Sequence, residues 1–533
     1  MKKKNSGVDH GLKLLANSAL IVFVAFVVAK IFGYLYRIII ARYFGPEIYG
    51  IYTLSVIVAS WLVVISTFGF IEGVLRYFSF YRGRKENQNI RYLFRFSSKI
   101  LIFSTIIFSL IVFLFSGFIA TLVFHNPDLI IYIKFFSLVA PFWAFSSYFL
   151  AIMRSFEKIK EVSIIESMIQ TGIKVVSLLF FIFMGLNTYS IIFSFFLGTL
   201  STLLLTFLYS KYKLEFNLFA KYKISPNEKS KIVRSFVSYS WPMFFLGLFS
   251  SIFYWTGSFM VGYFKSVTEV GLYNVVVPIA ILLSIAPEIF LQLFFPLVTK
   301  EYSMKNFEFI KKTSKQIGKW VFMINLPVFF LMIVFSEIII KILFGQDYAV
   351  VANSLRFLAF GLLFSSMFLI SQNLLSMAGK SRLIFYDVIL VTLLNIFLNI
   401  MLIPKGFIFG INNSIGINGA AIATSFSLLI LNLLFFIQAK HYTSAVPLKK
   451  EMFRIFFASL LSCSVLILLK NLLETTPISF VFMTVFFLLI YLLFLFLFRV
   501  FDEEDKMVIN NMKNKYSLTN IKSFLKLPEF KMN

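Results

Sequence analysis

The chain has 533 residues, of which 59% are hydrophobic and 14% charged, with a mean hydropathy of +0.88 and a formal net charge of +26. That balance leaves no room for a soluble catalytic domain, and basic residues set between long apolar runs point to anionic lipid head groups rather than to nucleic acid. One cysteine, Cys463, excludes intramolecular disulfides, and the three scattered histidines His10, His125 and His441 speak against a histidine metal site.

Apolar runs of 18 or more residues recur from Leu14 to Val500. A hydrocarbon core roughly 30 Å thick takes about 20 helical residues to cross. Fourteen spans are predicted, at 14–39, 48–75, 98–124, 129–153, 162–185, 188–210, 236–263, 269–298, 317–344, 350–378, 382–403, 415–438, 453–473 and 477–499. The first run is too long for a cleaved signal peptide and lacks a small-residue cleavage site, so it is a retained helix. Of the 50 basic residues, 40 fall in or at the edges of every second gap and only five in or at the edges of the gaps on the other side. This asymmetry places the basic face, with both termini, in the cytoplasm. Opposite-side loops are short, the longest near 404–414, and contain no paired Asp motif; the chain also lacks a P-loop and a GxGxxG sequence. No catalytic residue, cofactor or metal is expected. The run Asp502-Glu503-Glu504-Asp505 just after span 14 is expected to be a solvated tail segment.

The chain repeats itself. FSSYFL at Phe145–Leu150 recurs as FSSMFL at Phe364–Leu369, an offset of 219, and Gly50-Ile-Tyr52 recurs as Gly271-Leu-Tyr273, an offset of 221. The period covers six spans, an even number, so both copies enter from the same side and are parallel repeats about an axis along the membrane normal. The expected fold is all-α and integral to the membrane. A six-helix lobe (1–210) is joined by a basic linker (211–235) to a second six-helix lobe (236–440), followed by spans 13 and 14 (441–500) and a basic tail (501–533). Two such lobes leave a cleft between them.

Three blocks carry a resemblance: ARYFGPEIYGIYTLS at Ala41–Ser55, LFGQDYAVVANSLRFLAFG at Leu343–Gly361, and LNIFLNIMLIPKG with GINGAAIAT at Leu394–Gly406 and Gly416–Thr424. They resemble the oligosaccharide flippases of polysaccharide biosynthesis, in the superfamily that also holds multidrug extruders and lipid II flippases. The resemblance implies a multi-pass transporter of the plasma membrane. It would move a polyprenol- or dolichol-(pyro)phosphate-linked oligosaccharide outward by alternating access, with spans 1, 2, 7 and 8 lining the cleft. Pathway glycosyltransferases or a polymerase are the implied partners, and a proton or sodium ion the implied coupling ion. The alternatives are a lipid II-type flippase and a multidrug or cation antiporter.

Moving a sugar–phosphate head group through hydrocarbon would cost tens of kcal/mol if its charge stayed bare. A cation inside a helix costs about 2.5–3.5 kcal/mol at the bilayer centre, so such residues are candidates for a role. Lys30 and Arg37 in span 1 are two turns apart and share a face. They form either a cationic stripe for the phosphate or, respectively, a salt bridge within a lobe and a side chain snorkelling to the head groups. Span 5 carries Ser163, Glu166, Ser167, Gln170, Thr171, Lys174 and Ser177 at spacings of three and four, one polar stripe; its Lys174 completes the candidate anion site. Glu288 behind Pro287 in span 8, with Glu72 and Glu166, are the acids available to bind a coupling ion. A local ion pair between Glu72 and Arg76 is the simpler reading of that pair. Lys134 and Arg356 are expected to snorkel, and Asn395 and Asn399 to bond between helices. Helix 1 has no acid between Leu12 and Ile40, which argues against cationic cargo.

The topology makes a direct prediction. In a Cys463→Ser background, a cysteine introduced at Ala220 should react with an impermeant thiol reagent only from the cytoplasmic side; labelling from outside would overturn the assignment of faces.

Overall fold

The computed structural model describes residues 2–214, 221–304, 306–404, 406–408, 411–413, 415–474, 476–503 and 505, with side chains from Ala25 onward except 292–297, 299–300, 303, 406–408 and 411–413. Residues 215–220 of the linker, Glu504 of the acidic run and the tail from 506 lie outside that description. Among the described residues, 13 helical stretches are long and apolar enough to cross a bilayer. The first, Ala25–Thr67, has 43 residues. At 1.5 Å per residue it is about twice the length one crossing needs. It holds two spans, because Gly45 takes φ +81 in the middle of Lys2–Thr67 and Pro46 follows at the start of the second arm. Fourteen crossings result, as the hydropathy pattern predicts, in an all-α membrane fold.

The structure departs from the hydropathy spans mainly at helix ends. Span 2 stops at Thr67, where Phe68 and Gly69 both adopt positive φ, and a separate helix Phe70–Gly83 follows. Spans 7 and 9 begin earlier than their apolar runs, as Pro226–Phe264 and Phe307–Val334. Ser225 and Asn306 cap them by accepting from the Glu228 and Phe309 backbone N–H groups at 3.3 Å each. Backbone hydrogen bonding continues past the hydrocarbon as long as the start is capped. At the other end of span 9 a short helix, Ser336–Phe344, folds off separately, and the loop after Leu402 carries a two-stranded hairpin pairing Gly406–Ile408 with Ile411–Asn413.

Small residues bring the helices together, as expected where lipid supplies no hydrophobic drive. The GINGAAIAT block is packing: a side chain at Gly419 would strike the Leu402 carbonyl, and Ala420, Ala421 and Ala423 are fully buried. Its Asn418 accepts from Ser354 at 2.7 Å, joining spans 10 and 12. The two lobes meet at the repeated glycines. A methyl group on Gly50 would collide with the Val267 carbonyl, and one on Gly271 with the Pro46 carbonyl. Gly50 and Gly271 are 221 residues apart, and so are Pro46 and Val267, so the contact is two-fold symmetric between helices that run the same way. At the basic end, Gly69 and Gly73 seat the helix after span 2 on Ser240, Phe236 and Phe244 of span 7.

The acidic run after span 14 is not a solvated tail. Asp505 is 4% exposed and pairs with Lys319, which is fully buried. Asp505 also accepts from Gln316 at 2.6 Å and Trp320 at 2.7 Å, while Asp502 accepts from Lys319 at 2.9 Å and Lys449 at 2.6 Å. Hydropathy misses this because partners 183 and 186 residues apart in sequence converge only in the fold. The cluster fastens the end of span 14 to the basic end of span 9. Burial alone would push the Asp502 carboxyl up; hydrogen bonds from Lys449 and Lys319 outweigh it and hold it well below the usual carboxylate range.

A carboxyl with a depressed pKa stabilises the fold above its unfolded value of about 4 and loses that contribution as pH falls. The thermal midpoint of the detergent-solubilised protein should therefore drop below about pH 4. Asp505→Ala should lower it at neutral pH, since removing one partner of a buried pair costs about 3–5 kcal/mol. An unchanged midpoint would mean that the cluster does not fasten span 14.

Candidate functional site

The seam between the lobes is lined from span 1. Lys30, Tyr34 and Arg37 follow at spacings of four and three and so lie on one helical face. Lys30 Nζ stands 3.8 Å from Glu288 Oε2 across the seam, with side chains 30% and 37% exposed. One turn on, the Tyr34 hydroxyl donates to the Pro278 carbonyl at 2.8 Å, with Arg37, Tyr254 and Glu288 in its electrostatic surroundings. Arg37 hydrogen-bonds Tyr49 and has Tyr52 and Tyr254 close by. Tyr49 in turn donates to the Asn274 carbonyl of span 8 at 3.3 Å, and Asn274 accepts from Ser258 of span 7 at 2.9 Å. Tyr254 keeps 51% of its surface accessible.

Lys174 reaches the same region from span 5. Its stem lies against Gly198 of span 6, where any side chain would collide with it, and its ammonium sits 3.9 Å from the centre of the Phe195 ring. Phe195 belongs to a nest of rings with Tyr52, Phe136 and Trp143. Lys174 lies within electrostatic range of Arg37. Among the described residues no carboxylate forms an ion pair with Arg37 or Lys174; the region holds three cations and one acid, Glu288. An excess of positive charge of this kind favours an anion; the Tyr34 and Tyr49 hydroxyls already donate to backbone carbonyls, which leaves Tyr52 and Tyr254 as hydroxyl donors for its oxygens.

The other candidate residues lie elsewhere. Glu166 pairs with Arg154 of span 4. A six-residue π-helix, Ile164–Ile169, interrupts the regular pitch here, and the Glu166 carboxylate is taken by Arg154 and not by Lys174. Glu72 is exposed in the first turn of Phe70–Gly83, where the helix dipole favours an acid. Arg76 lies 4.1 Å from the Tyr239 ring centre, and among the described residues the expected pair with Glu72 is not formed. Arg356 donates to Asn353 at 2.6 Å and to the Ile333 carbonyl at 3.1 Å. Asn395 bonds Ser427 of span 12 at 3.2 Å, while Asn399 turns back onto Asn395. The tyrosines of the seam were missed because they are four among 24. Tyr34 alone carried a signal, one turn from Lys30 on the same face.

A family model described as "Polysaccharide biosynthesis protein" matches residues 15–301, more than half of the chain. The chain belongs to that family. A second model, MatE, matches residues 242–401. An uncharacterized membrane protein of Methanocaldococcus jannaschii is 24% identical over 418 residues, covering 75% of this chain and 78% of that protein. A probable low-salt glycan biosynthesis flippase of Haloferax volcanii, Agl15, is 25% identical over 271 residues, half of this chain and 55% of the relative. The fold matches a structure of the lipid II flippase MurJ in an inward closed conformation, with a TM-score of 0.70 at 18% identity over 90% of this chain and 99% of that one. The protein is a multi-pass transporter of the plasma membrane, in the superfamily of these flippases and exporters.

In this transporter the lobes are latched at the end opposite the basic face. Arg42, just past span 1, donates to the Ile342 carbonyl at 2.8 Å, near the C-terminus of Ser336–Phe344. There the helix dipole adds to the attraction of a cation. Tyr348 completes the latch by donating to the Ala41 carbonyl at 2.9 Å. A charged hydrogen bond contributes about 1.5–3 kcal/mol, so Arg42→Ala should raise the fraction open at this end by roughly tenfold or more. The readout is the rate at which an impermeant maleimide, applied opposite the basic face, labels Tyr254→Cys in a Cys463→Ser background. Equal rates with and without Arg42 would remove the latch.

Proposed function

We propose that the protein flips a polyprenol- or dolichol-(pyro)phosphate-linked oligosaccharide from the cytoplasmic to the outer leaflet, with its basic face cytoplasmic. The observation that carries this reading is the seam itself: Lys30, Arg37 and Lys174 with Glu288 as their one acid. The net positive charge favours an anionic head group and disfavours the cationic cargo of a drug antiporter. The names of two similar proteins, a glycan biosynthesis flippase and a lipid II flippase, support lipid-linked glycan as the cargo class. The bodies that rock are the lobes 1–210 and 236–440, with 211–235 as their tether. Glycosyltransferases or a polymerase of the same pathway deliver and consume the cargo.

Glu288 couples the cycle to a proton or sodium gradient. Lys30 holds the carboxylate in the present conformation; when a phosphate engages Lys30, the freed carboxylate takes up a cation. A ligand biases two states only through different affinities for them, and an acid that is paired in one state and free in the other meets that condition.

One reconstituted assay tests both assignments. Lys30→Ala and Lys174→Met should each slow translocation of a fluorescent polyprenyl-pyrophosphoryl glycan at least tenfold, with thermal midpoints near wild type. Glu288→Gln should still bind the glycolipid but respond no longer to an imposed pH or sodium gradient. Wild-type rates in both lysine variants would sink the anion site, and an intact gradient response in Glu288→Gln would sink the coupling role.

A further inference from the structure

A second cationic feature lies away from the seam. The helix Pro226–Phe264 buries Ile232, Phe236 and Ser240 against the first lobe, with Phe236 meeting the rings of Phe70 and Phe96. Its neighbouring face is left open. Lys229, Ser230, Val233, Arg234, Val237 and Ser238 recur a turn apart and, with Tyr92 of the first lobe, line a hollow of about 600 Å3. No carboxylate lines it.

The hollow changes character along the helix. At the end near the Ser225 cap stands Lys229, whose ammonium lies 5.5 Å from the Tyr222 ring centre and 5.9 Å from that of Tyr92, with Arg234 little more than a turn further in. Arg95 approaches the other side of this group, 5.2 Å from the Tyr222 ring centre. Beyond Arg234 the lining carries no further charge: Val237 stands beside Ser238 and is 39% exposed, and Trp241, one turn past the hollow, is 53% exposed. The apolar run of span 7 begins at about residue 236, so cations stand at head-group depth and the valine and tryptophan at the start of the hydrocarbon. Tryptophan favours that level. A free phosphate would use only the cations. A phosphate carrying acyl chains uses the whole gradient.

We propose that this hollow binds an anionic phospholipid of the surrounding bilayer, with its phosphate between Lys229 and Arg234 and an acyl chain along Val237 and Trp241. This does not rest on the cargo assigned to the seam. Because Tyr92 belongs to the first lobe and the remaining lining to the helix Pro226–Phe264, which leads from the linker into the second, the lipid bridges them. It binds best while spans 3 and 7 are together at the basic end, and so favours that conformation over one in which they part.

Quenching of Trp241 by brominated lipid tests the site. Wild-type protein is reconstituted in phosphatidylcholine vesicles containing brominated phosphatidylglycerol or brominated phosphatidylcholine at equal mole fraction. The Trp241 signal is the difference from Trp241→Phe. Two cations near the phosphate should enrich the anionic lipid on the order of tenfold, so brominated phosphatidylglycerol should quench at a correspondingly lower mole fraction. Lys229→Gln with Arg234→Gln should merge the two curves, and millimolar inorganic phosphate should leave the wild-type difference intact. Coincident curves in wild type would overturn the proposal without any variant. A difference that survives the double substitution would overturn the cation assignment, and one abolished by inorganic phosphate would make this a phosphate site and not a lipid site.

Discussion

The two lobes touch where neither has a side chain. Gly50 lies against the backbone at Val267, and Gly271 against the backbone at Pro46. Close backbone approach of this kind is how membrane helices gain dispersion energy in a solvent as apolar as their own side chains. It also fixes geometry. Any larger residue at either glycine would spread spans 2 and 8, and with them every contact across the seam: Tyr49 on Asn274, Tyr34 on Pro278, Lys30 facing Glu288. At the basic end, Gly69 and Gly73 lie against span 7.

Buried charge separates what holds the protein together from what is left for a ligand. Lys319 is fully buried, yet Asp502 and Asp505 both accept from it, and the group is satisfied internally. Arg154 has Glu166, and Asp387 accepts from Gln438 at 3.0 Å. Arg37 and Lys174 have only tyrosine hydroxyls and aromatic rings. Cation–π contact contributes about 0.5–2 kcal/mol, less than the roughly 2.5–3.5 kcal/mol cost of a cation at the bilayer centre. The remaining cost is tolerable if water enters the seam or an anion does.

The spans, the repeat and the family were legible in the sequence because each rests on hydropathy, spacing or motif, which are local in the chain. What was not legible depends on contacts far apart in it. The acidic run after span 14 has the composition of a solvated tail, and only the fold brings Lys319 to it. The polar stripe of span 5 was drawn with a helix of constant pitch; a π-helix at Ile164–Ile169 interrupts it, and Glu166 is held by Arg154 of the neighbouring span. Lys30, Arg37 and Lys174 stood out because a cation is rare in an apolar run. Tyr52 and Tyr254 are chemically as well suited to a phosphate oxygen, but tyrosine is common here and nothing in the chain distinguished them.

Span 1 joins the separate parts of the site. Lys30 faces Glu288, Tyr34 reaches span 8, Arg37 meets the tyrosines, and Ala41 and Arg42 hold the latch. From Lys30 to Arg42 is 12 residues, about 18 Å of uninterrupted helix. No wire of side chains is then needed to connect head group and latch, because a rigid element with two arrangements suffices. An anion drawing Lys30 off Glu288, or Arg37 off Tyr49, acts on the same rod whose end is fastened at Ile342. The converse follows by reciprocity: loosening the latch changes the affinity of the seam for its anion by the same factor.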